Sequence, residues 1–246
     1  MSKALPVLYE RHGEQVAVIT LNRPEKKNAI NLQMAELIRT YLRQADNDDS
    51  VRAIVLAGQP AVFSAGMDVD AFRQGELPIV TPEGFGGLIH AQIAKVIIAA
   101  VDGIAYGGGF ELALACDLIV AGQNARFSFP ETGLGLVAAQ GGCARLPTRI
   151  SPYVALDWLL TGRTVSAREA LSHGAISRIS EGAAREEALR IAEQIAAKDL
   201  AASQTVKAIV RQGLARQEAP SFAFQQGPVE RLRQAAARRY FSRRFA

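Results

Sequence analysis

Three short runs carry the residue types that chemistry at a carbonyl group requires. The densest is Gly103-Ile-Ala-Tyr-Gly107-Gly108-Gly109-Phe110-Glu111, which continues to Cys116-Asp117. Consecutive glycines between a strand and a helix let the backbone approach a ligand closely, and the first N–H groups of a helix are unpaired and attract negative charge. That combination suits an oxyanion hole, although glycines that merely permit close packing would look the same. No Gly-x-Gly-x-x-Gly and no Gly-Lys-Ser/Thr follows, so neither a dinucleotide fingerprint nor a P-loop is present. The second run is Phe63-Ser64-Ala65-Gly66-Met67-Asp68. Its small side chains would let the Ala65 amide face the same ligand as the Gly108 amide, two donors on one oxygen. Ser64 has no histidine in its motif to activate it. The third run, Phe127-Ser-Phe-Pro130-Glu131-Thr-Gly-Leu-Gly135, sets a carboxylate among apolar residues. Burial raises a carboxyl pKa, and two neighbouring carboxyls are driven apart in pKa, which suits proton transfer between Glu111 and Glu131. Either glutamate alone reads equally as a solvated or salt-bridged residue.

The elements needed to hold these runs are legible in the apolar pattern. Gln15–Leu21 is a buried strand ended by Asn22-Arg23-Pro24, and Ile30, Met34, Leu37, Ile38, Tyr41, Leu42 and Ala45 recur at helical spacing. Val51–Ala57 is a second strand, so strand, helix and strand form a right-handed parallel crossover. Val96–Val101 and Leu118–Ala121 are further buried strands, separated by the glycine turn and a short helix over about Gly108–Cys116. Beyond Ser151 the pattern is helical, with Ser166 and Glu169 spaced as a capping box and a stop near Gly174. No strand is expected after Ile179, and three helices are expected from about Glu181 onward. The fold class is therefore α/β, with a body over 1–180 and a helical region over 181–246.

Composition narrows the chemistry. The chain has 246 residues, 49% hydrophobic and 21% charged, enough to bury a substantial core. Asp102, Glu111 and Asp117 interrupt the most apolar region, and the first fifteen residues lack the apolar core of a signal peptide, so no membrane segment and a cytoplasmic location are expected. Cys116 and Cys143 are too few for a disulfide framework, and His12, His90 and His173 are scattered without zinc spacing. No metal or cofactor is expected; carboxylates and backbone must do the work. The net charge of +4 is concentrated in residues 228–246, where Arg231, Arg233, Arg238, Arg239, Arg243 and Arg244 stand against Glu230. That tail reads either as a solvated helix face or as a partner for phosphate.

Taken together, the runs resemble the crotonase (enoyl-CoA hydratase/isomerase) superfamily. The likeness begins at Val16-Ala-Val-Ile-Thr-Leu-Asn-Arg-Pro-Glu-Lys-Lys-Asn-Ala-Ile30, passes through the three runs, and continues to Leu160-Thr-Gly-Arg and Ser166-Ala-Arg-Glu-Ala-Leu-Ser-His-Gly174. It implies a spiral of ββα turns with a helical C-terminal region that mediates a homotrimer or a dimer of trimers. It further implies an acyl-CoA substrate whose thioester oxygen lies between the amides of Ala65 and Gly108. Coenzyme A is part of that substrate, and the resemblance assigns its contacts to Lys27, Ala29, Ala65, Met67, Asp68, Val69, Gly107, Gly108, Pro130 and Glu131, with tail arginines at the phosphates. Glu111 and Glu131 would both be catalytic, which favours reversible hydration of a 2-enoyl-CoA.

Tyr106–Ala115 and Pro82-Glu-Gly-Phe-Gly-Gly-Leu88 also look like carnitinyl-CoA dehydratase, an alternative alongside enoyl-CoA isomerase; Phe72, Phe85 and Phe110 are the aromatic residues such a cationic substrate would call on. Two departures stand out. Lys95-Val96 replaces a common Lys-Pro, and Ala138-Ala139-Gln140-Gly141-Gly142 replaces a Pro-Gly-x-Gly-Gly, which alters the allowed backbone angles near the water site. A crotonase-like chain that binds RNA or a protein partner through its arginine tail is the non-enzymatic alternative, disfavoured by the two retained acids; nucleic acid is not the expected partner.

Overall fold

A computed structural model describes residues 5–59 and 62–242, with side chains as far as residue 238. In chain order, β1 (Val7–His12) and β2 (Val16–Leu21) form a hairpin, followed by α1 (Leu32–Asn47) and β3 (Ala53–Gly58). Next come β4 (Val62–Ser64), α2 (Val69–Arg73), the small hairpin β5 (Ile79–Val80) and β6 (Gly84–Phe85), and β7 (Val96–Val101). Then follow β8 (Ile104–Tyr106), α3 (Gly108–Ala115), β9 (Leu118–Gly122), β10 (Arg126–Ser128) and a 3-10 turn over Pro130–Leu134. The remainder is α4 (Gly142–Arg149), α5 (Pro152–Thr161), β11 (Val165–Ser166), α6 (Ala167–Ser172), β12 (Arg178–Ser180), α7 (Ala184–Ala196) and α8 (Leu200–Ser242).

The spiral is visible in the pairing. One sheet has the order β1-β2-β3-β7-β9-β12, parallel from β2 onward, and the second has the order β11-β10-β8-β4. Each of β3, β7 and β9 in the first sheet leads directly into β4, β8 and β10 in the second, in the same spatial sequence, before the chain turns helical. Period-two alternation on the first sheet produces two apolar faces. Ile19, Leu21, Ile54, Leu56, Ala99 and Ile119 join Met34, Ile38 and Leu42 of α1 and most of α3 in the main core. Val16, Val18, Val55, Ile98 and Val120 pack under α7, whose Ala184, Ala188, Ile191 and Ala192 present mostly small side chains to the strands.

The expected strands, α1 and α3 appear with boundaries within about two residues. Asn31 caps α1 by accepting from Met34 N at 3.1 Å, and Ser166 caps α6 by accepting from Glu169 N at 3.2 Å. The Glu169 carboxylate turns instead to Arg163, 2.6 Å away, so only half of the capping box forms. Lys95 is buried beneath the end of α1, donating to the Ala45 and Asp48 carbonyls. The helical region differs from expectation: two helices, not three, occupy the described residues beyond 181. Pro220 and Pro228 signal helix ends in sequence, yet both lie inside α8. An interior proline costs about 3 kcal/mol, and here the flanking turns are fastened to the body by Glu218, Phe222 and Gln225.

Candidate active site

The site is assembled where β8 and β10 end. Gly107 has φ 50° and ψ −126°, a conformation closed to other residues, and a Cβ there would meet the Glu131 Oε1 at 2.8 Å. Its N–H donates to the Ser128 carbonyl at 2.9 Å, which fixes the start of α3 against the end of β10. Glu111, one turn into α3, and Glu131, three residues beyond Ser128, are thereby brought together.

The two carboxyls are held differently. Glu111 is 3% exposed, and its Oε1 accepts from the Gly142 amide at 2.9 Å at the opening of α4. Burial, and then the charge of Glu131, push its pKa up to about 8, against the opposing pull of the Gly142 and Gln140 amides and of Arg145. Glu131 rides the 3-10 turn opened by Pro130, and its Oε2 is buried with no hydrogen-bond partner among the described residues. Burial pushes its pKa up to about 7. Groups so coupled release their protons in two steps that belong to the pair, leaving one shared proton near neutral pH. Cys143 feels both carboxyls, and burial together with their charges pushes its thiol up to about 11, which keeps it neutral and a poor nucleophile.

The start of α3 lies beside this pair, but the Ala65 amide expected to face it is not free. The Ala65 amide donates to the Lys27 carbonyl at 2.9 Å and is therefore already engaged. Lys27 and Asn28 both adopt left-handed backbone (φ 50° and 52°), which curls the Lys27 carbonyl toward β4, and the Asn28 side chain locks the curl onto Arg23 N and Val62 O. Two residues on, Ile30 N donates to Gly66 O at 2.7 Å and Asp68 N donates to Ile30 O at 2.9 Å. This parallel bridge uses the groups on either side of Met67 and directs Met67's own N–H away from Ile30. A Cβ on Gly66 would stand 3.0 Å from Gly108 N, so the Met67 segment lies directly against the first turn of α3. Gly108 N–H, at that helix start, has no intrahelical acceptor.

The other expected contact residues gather on the same edge. Lys27 is exposed, Ala29, Ala65 and Met67 are half-buried, and Val69 is exposed at the start of α2. The Asp68 carboxylate is occupied: it caps α2 through Asp70 N and Ala71 N and pairs with Arg23 at 2.7 Å. Phe110 is core, stacked on Phe129 and tilted against Phe127 with ring centroids 4.8 Å away in each case, whereas the Phe85 ring lies against the Gly108 Cα. In the tail, Arg233 pairs with Glu230 and Arg231 and Arg238 are exposed; the Arg239 side chain, Arg243 and Arg244 lie outside the described residues. Among the described residues no group of three or more His, Cys, Asp or Glu could hold a metal, and no helix is long and apolar enough to cross a membrane. Sequence reasoning missed the Met67 amide, the Gly142 donor and Arg145. The departure at 138–142 was the one signal pointing toward the last two.

Comparison with known proteins decides the relationship. A family model described as enoyl-CoA hydratase/isomerase matches residues 11–245. The chain belongs to the enoyl-CoA hydratase/isomerase family. Within that family it is 40% identical over 208 residues to a carnitinyl-CoA dehydratase of Citrobacter koseri, covering 82% of this chain and 79% of the relative. It is also 40% identical over 215 residues to a probable enoyl-CoA hydratase of Rhizobium meliloti, covering 85% and 82%. A carnitinyl-CoA dehydratase structure from Mycobacterium avium superposes with a TM-score of 0.90 at 37% identity, covering 96% of this chain and 95% of that one. An enoyl-CoA hydratase from Mycobacterium tuberculosis gives 0.83 at 37% identity, covering 91% and 87%. The α/β spiral is thus the fold of this enzyme family.

Proposed function

We propose that this family member adds water reversibly across the double bond of a 2-enoyl-CoA, giving a 3-hydroxyacyl-CoA. The observation that carries the reading is the buried, mutually interacting pair of Glu111 and Glu131 set beside two backbone amides, of Met67 and Gly108, for which no acceptor stands among the described residues. The thioester oxygen sits between the amides of Met67 and Gly108, Met67 taking the part expected of Ala65. As the β-carbon is attacked, charge moves onto that oxygen, and each such donor contributes about 2.7–4 kcal/mol of transition-state stabilisation. Glu111, ionised and oriented by the Gly142 amide, takes a proton from the water whose oxygen bonds to the β-carbon. Glu131, protonated, delivers its proton to the α-carbon as the enolate collapses, and the proton gained by Glu111 returns the pair to its starting state.

Coenzyme A runs along the edge formed by Lys27, Ala29, Ala65, Met67, Asp68 and Val69, with the thioester at Gly107, Gly108, Pro130 and Glu131 and the tail arginines available to phosphate. It is part of the substrate, and the reaction needs no further cofactor. Exposed Val206, Ile209, Val210 and Phe224 on α8, with Tyr153, Leu156 and Leu160 on α5, support burial against other subunits in a homotrimer or a dimer of trimers in the cytoplasm. A second reading, dehydration of a carnitinyl-CoA-type substrate, is favoured by the two dehydratase relatives and uses the same steps in reverse. Purified protein mixed with crotonyl-CoA should consume the conjugated thioester's absorbance and yield 3-hydroxybutyryl-CoA by mass spectrometry. Double-bond migration without a hydroxyacyl product would replace hydration by isomerisation, and absence of turnover with short, long, aromatic and betaine-type enoyl-CoAs would end the proposal.

A further inference from the structure

The long helix α8 does more than cross the surface of the body. Three residues at i, i+4 and i+7 on one of its faces, Glu218, Phe222 and Gln225, all reach the segment that carries Glu111's hydrogen-bond donor. Gln225 Nε2 donates to the Ala139 carbonyl at 2.6 Å, in the loop just before α4. Glu218 Oε2 lies 3.4 Å from Arg145 Nε, with both side chains about nine-tenths buried. The Phe222 ring lies 5.2 Å from the same guanidinium and meets His90 edge-on at 5.1 Å. Arg145 Nη2 donates to the Ile89 carbonyl at 2.6 Å, while Nη1 packs onto Gly141, only 2.5 Å from where a Cβ would stand. Gly142, the next residue, donates the amide that holds Glu111.

We propose that Arg145 is a positioning residue for Glu111, fixing the Gly141–Gly142 turn whose amide holds that carboxyl, and that α8 holds Arg145 there through Glu218. This rests on the hydratase reading for its catalytic meaning. Arg145 is the cation that most directly opposes burial at Glu111; Glu131 and Cys143 are the other titratable groups facing that carboxyl. Around Arg145 stand Glu218 and Arg211 from α8, Glu111 from α3, Cys116 just beyond it, and His90 and Arg149. Burial keeps Cys116 and lowers His90 toward their neutral forms. Arg211 is paired with Asp117 at 2.8 Å. Removing the guanidinium therefore raises Glu111's proton affinity, and removing Glu218 leaves the guanidinium uncompensated and lowers it.

The test uses the full chain in two readouts: the pH profile of kcat, and a 13C carboxyl titration of Glu111 identified by its loss in Glu111→Gln. Arg145→Met should move the acid limb of kcat, and the Glu111 titration, upward by about one pH unit, with KM changed less than about twofold. Arg145→Lys should return the limb while recovering only part of kcat, because an ammonium cannot reach both Ile89 O and Glu218. Glu218→Gln should move the titration the opposite way by a smaller amount. An unmoved Glu111 titration in Arg145→Met, or a shift of the same sign in both variants, overturns the proposal even if activity is lost. If Arg145→Met does not fold, the sign in Glu218→Gln decides. If the native protein turns over no enoyl-CoA, the hydratase reading falls while the carboxyl titration still judges this inference.

Discussion

Glu111 and Glu131 are the same side chain, close enough to feel each other's charge, and are anchored in different ways. Glu111 stands on a helix that is buried all round and is gripped by backbone amides of another element, so its oxygen atoms have a fixed direction. Glu131 stands on a single 3-10 turn and keeps one buried oxygen without a hydrogen-bond partner among the described residues. Amides favour the ionised form and an orphaned oxygen favours the protonated one. These contacts pull against burial, which raises Glu111 to about 8 and Glu131 to about 7; the proposed division into base and acid therefore rests on the direction in which the Gly142 amide holds Glu111 and on where the pair's one shared proton sits, not on the order of those values.

The largest test of that division replaces each acid in turn. Glu111→Gln and Glu131→Gln should each lower kcat for hydration by roughly 10²–10⁴-fold, but with different residues of behaviour. Loss of Glu111 removes the acid limb of the pH profile, since no base is left to be protonated. Loss of Glu131 removes the alkaline limb, since no acid is left to ionise. The native profile should be a bell with its top between the two macroscopic steps near pH 7 and 8. In deuterated buffer, exchange of the α-proton of butyryl-CoA should survive Glu111→Gln better than Glu131→Gln. Equal loss in both variants would show that the two acids are not divided in this way.

A smaller effect is expected from Gly107→Ala, which strikes only one side of the comparison. The new methyl group would stand 2.8 Å from Glu131 Oε1 and on a backbone with positive φ, so the 3-10 turn must shift. A displacement of this size at a reacting group costs roughly 10²-fold in kcat. Glu111 should keep its own carboxyl titration, measured by 13C NMR. If the substitution disturbs Glu111 as much as Glu131, the two anchors are mechanically one.

How much of this was legible in sequence follows from what each feature depends on. The strands of the first sheet, α1 and α3 are written in local periodicity, and both glutamates stand in runs whose composition is unusual by itself. The second sheet was not legible: β4, β8 and β10 are three residues each, too short for alternation to register. The exchange of Ala65 for Met67 has a similar cause. Which amide is spent on Lys27 and which is left over depends on a one-residue register between the 27–30 loop and the 65–68 loop, and residue types do not encode that register. Pro220 and Pro228 are local helix breakers, yet α8 runs through both, its flanking turns held by Glu218 on Arg145 of α4 and by Gln225 on the Ala139 carbonyl before α4, contacts distant in sequence that local residue types do not encode.

The smallest expected effect concerns stability. Both carboxyls have folded pKa values above the ordinary value of 4.5. Between about pH 4.5 and the folded values, the native state holds more protons than the unfolded chain, so stability falls as pH rises through that window. The stabilising share is fully present below the unfolded pKa and is lost once pH exceeds about 8. Glutamine cannot ionise, so Glu111→Gln should melt higher than the native protein at pH 9, by about 2–4 °C for each kcal/mol of relieved burial. The difference should shrink toward zero at pH 4.5, where the native carboxyl is itself neutral. Glu131→Gln should gain less, because its shift is smaller and its carboxyl is less buried. Melting curves across this range separate the two anchors without any substrate: a larger gain at Glu131 than at Glu111 would reverse the order of burial that the structure gives the two carboxyls.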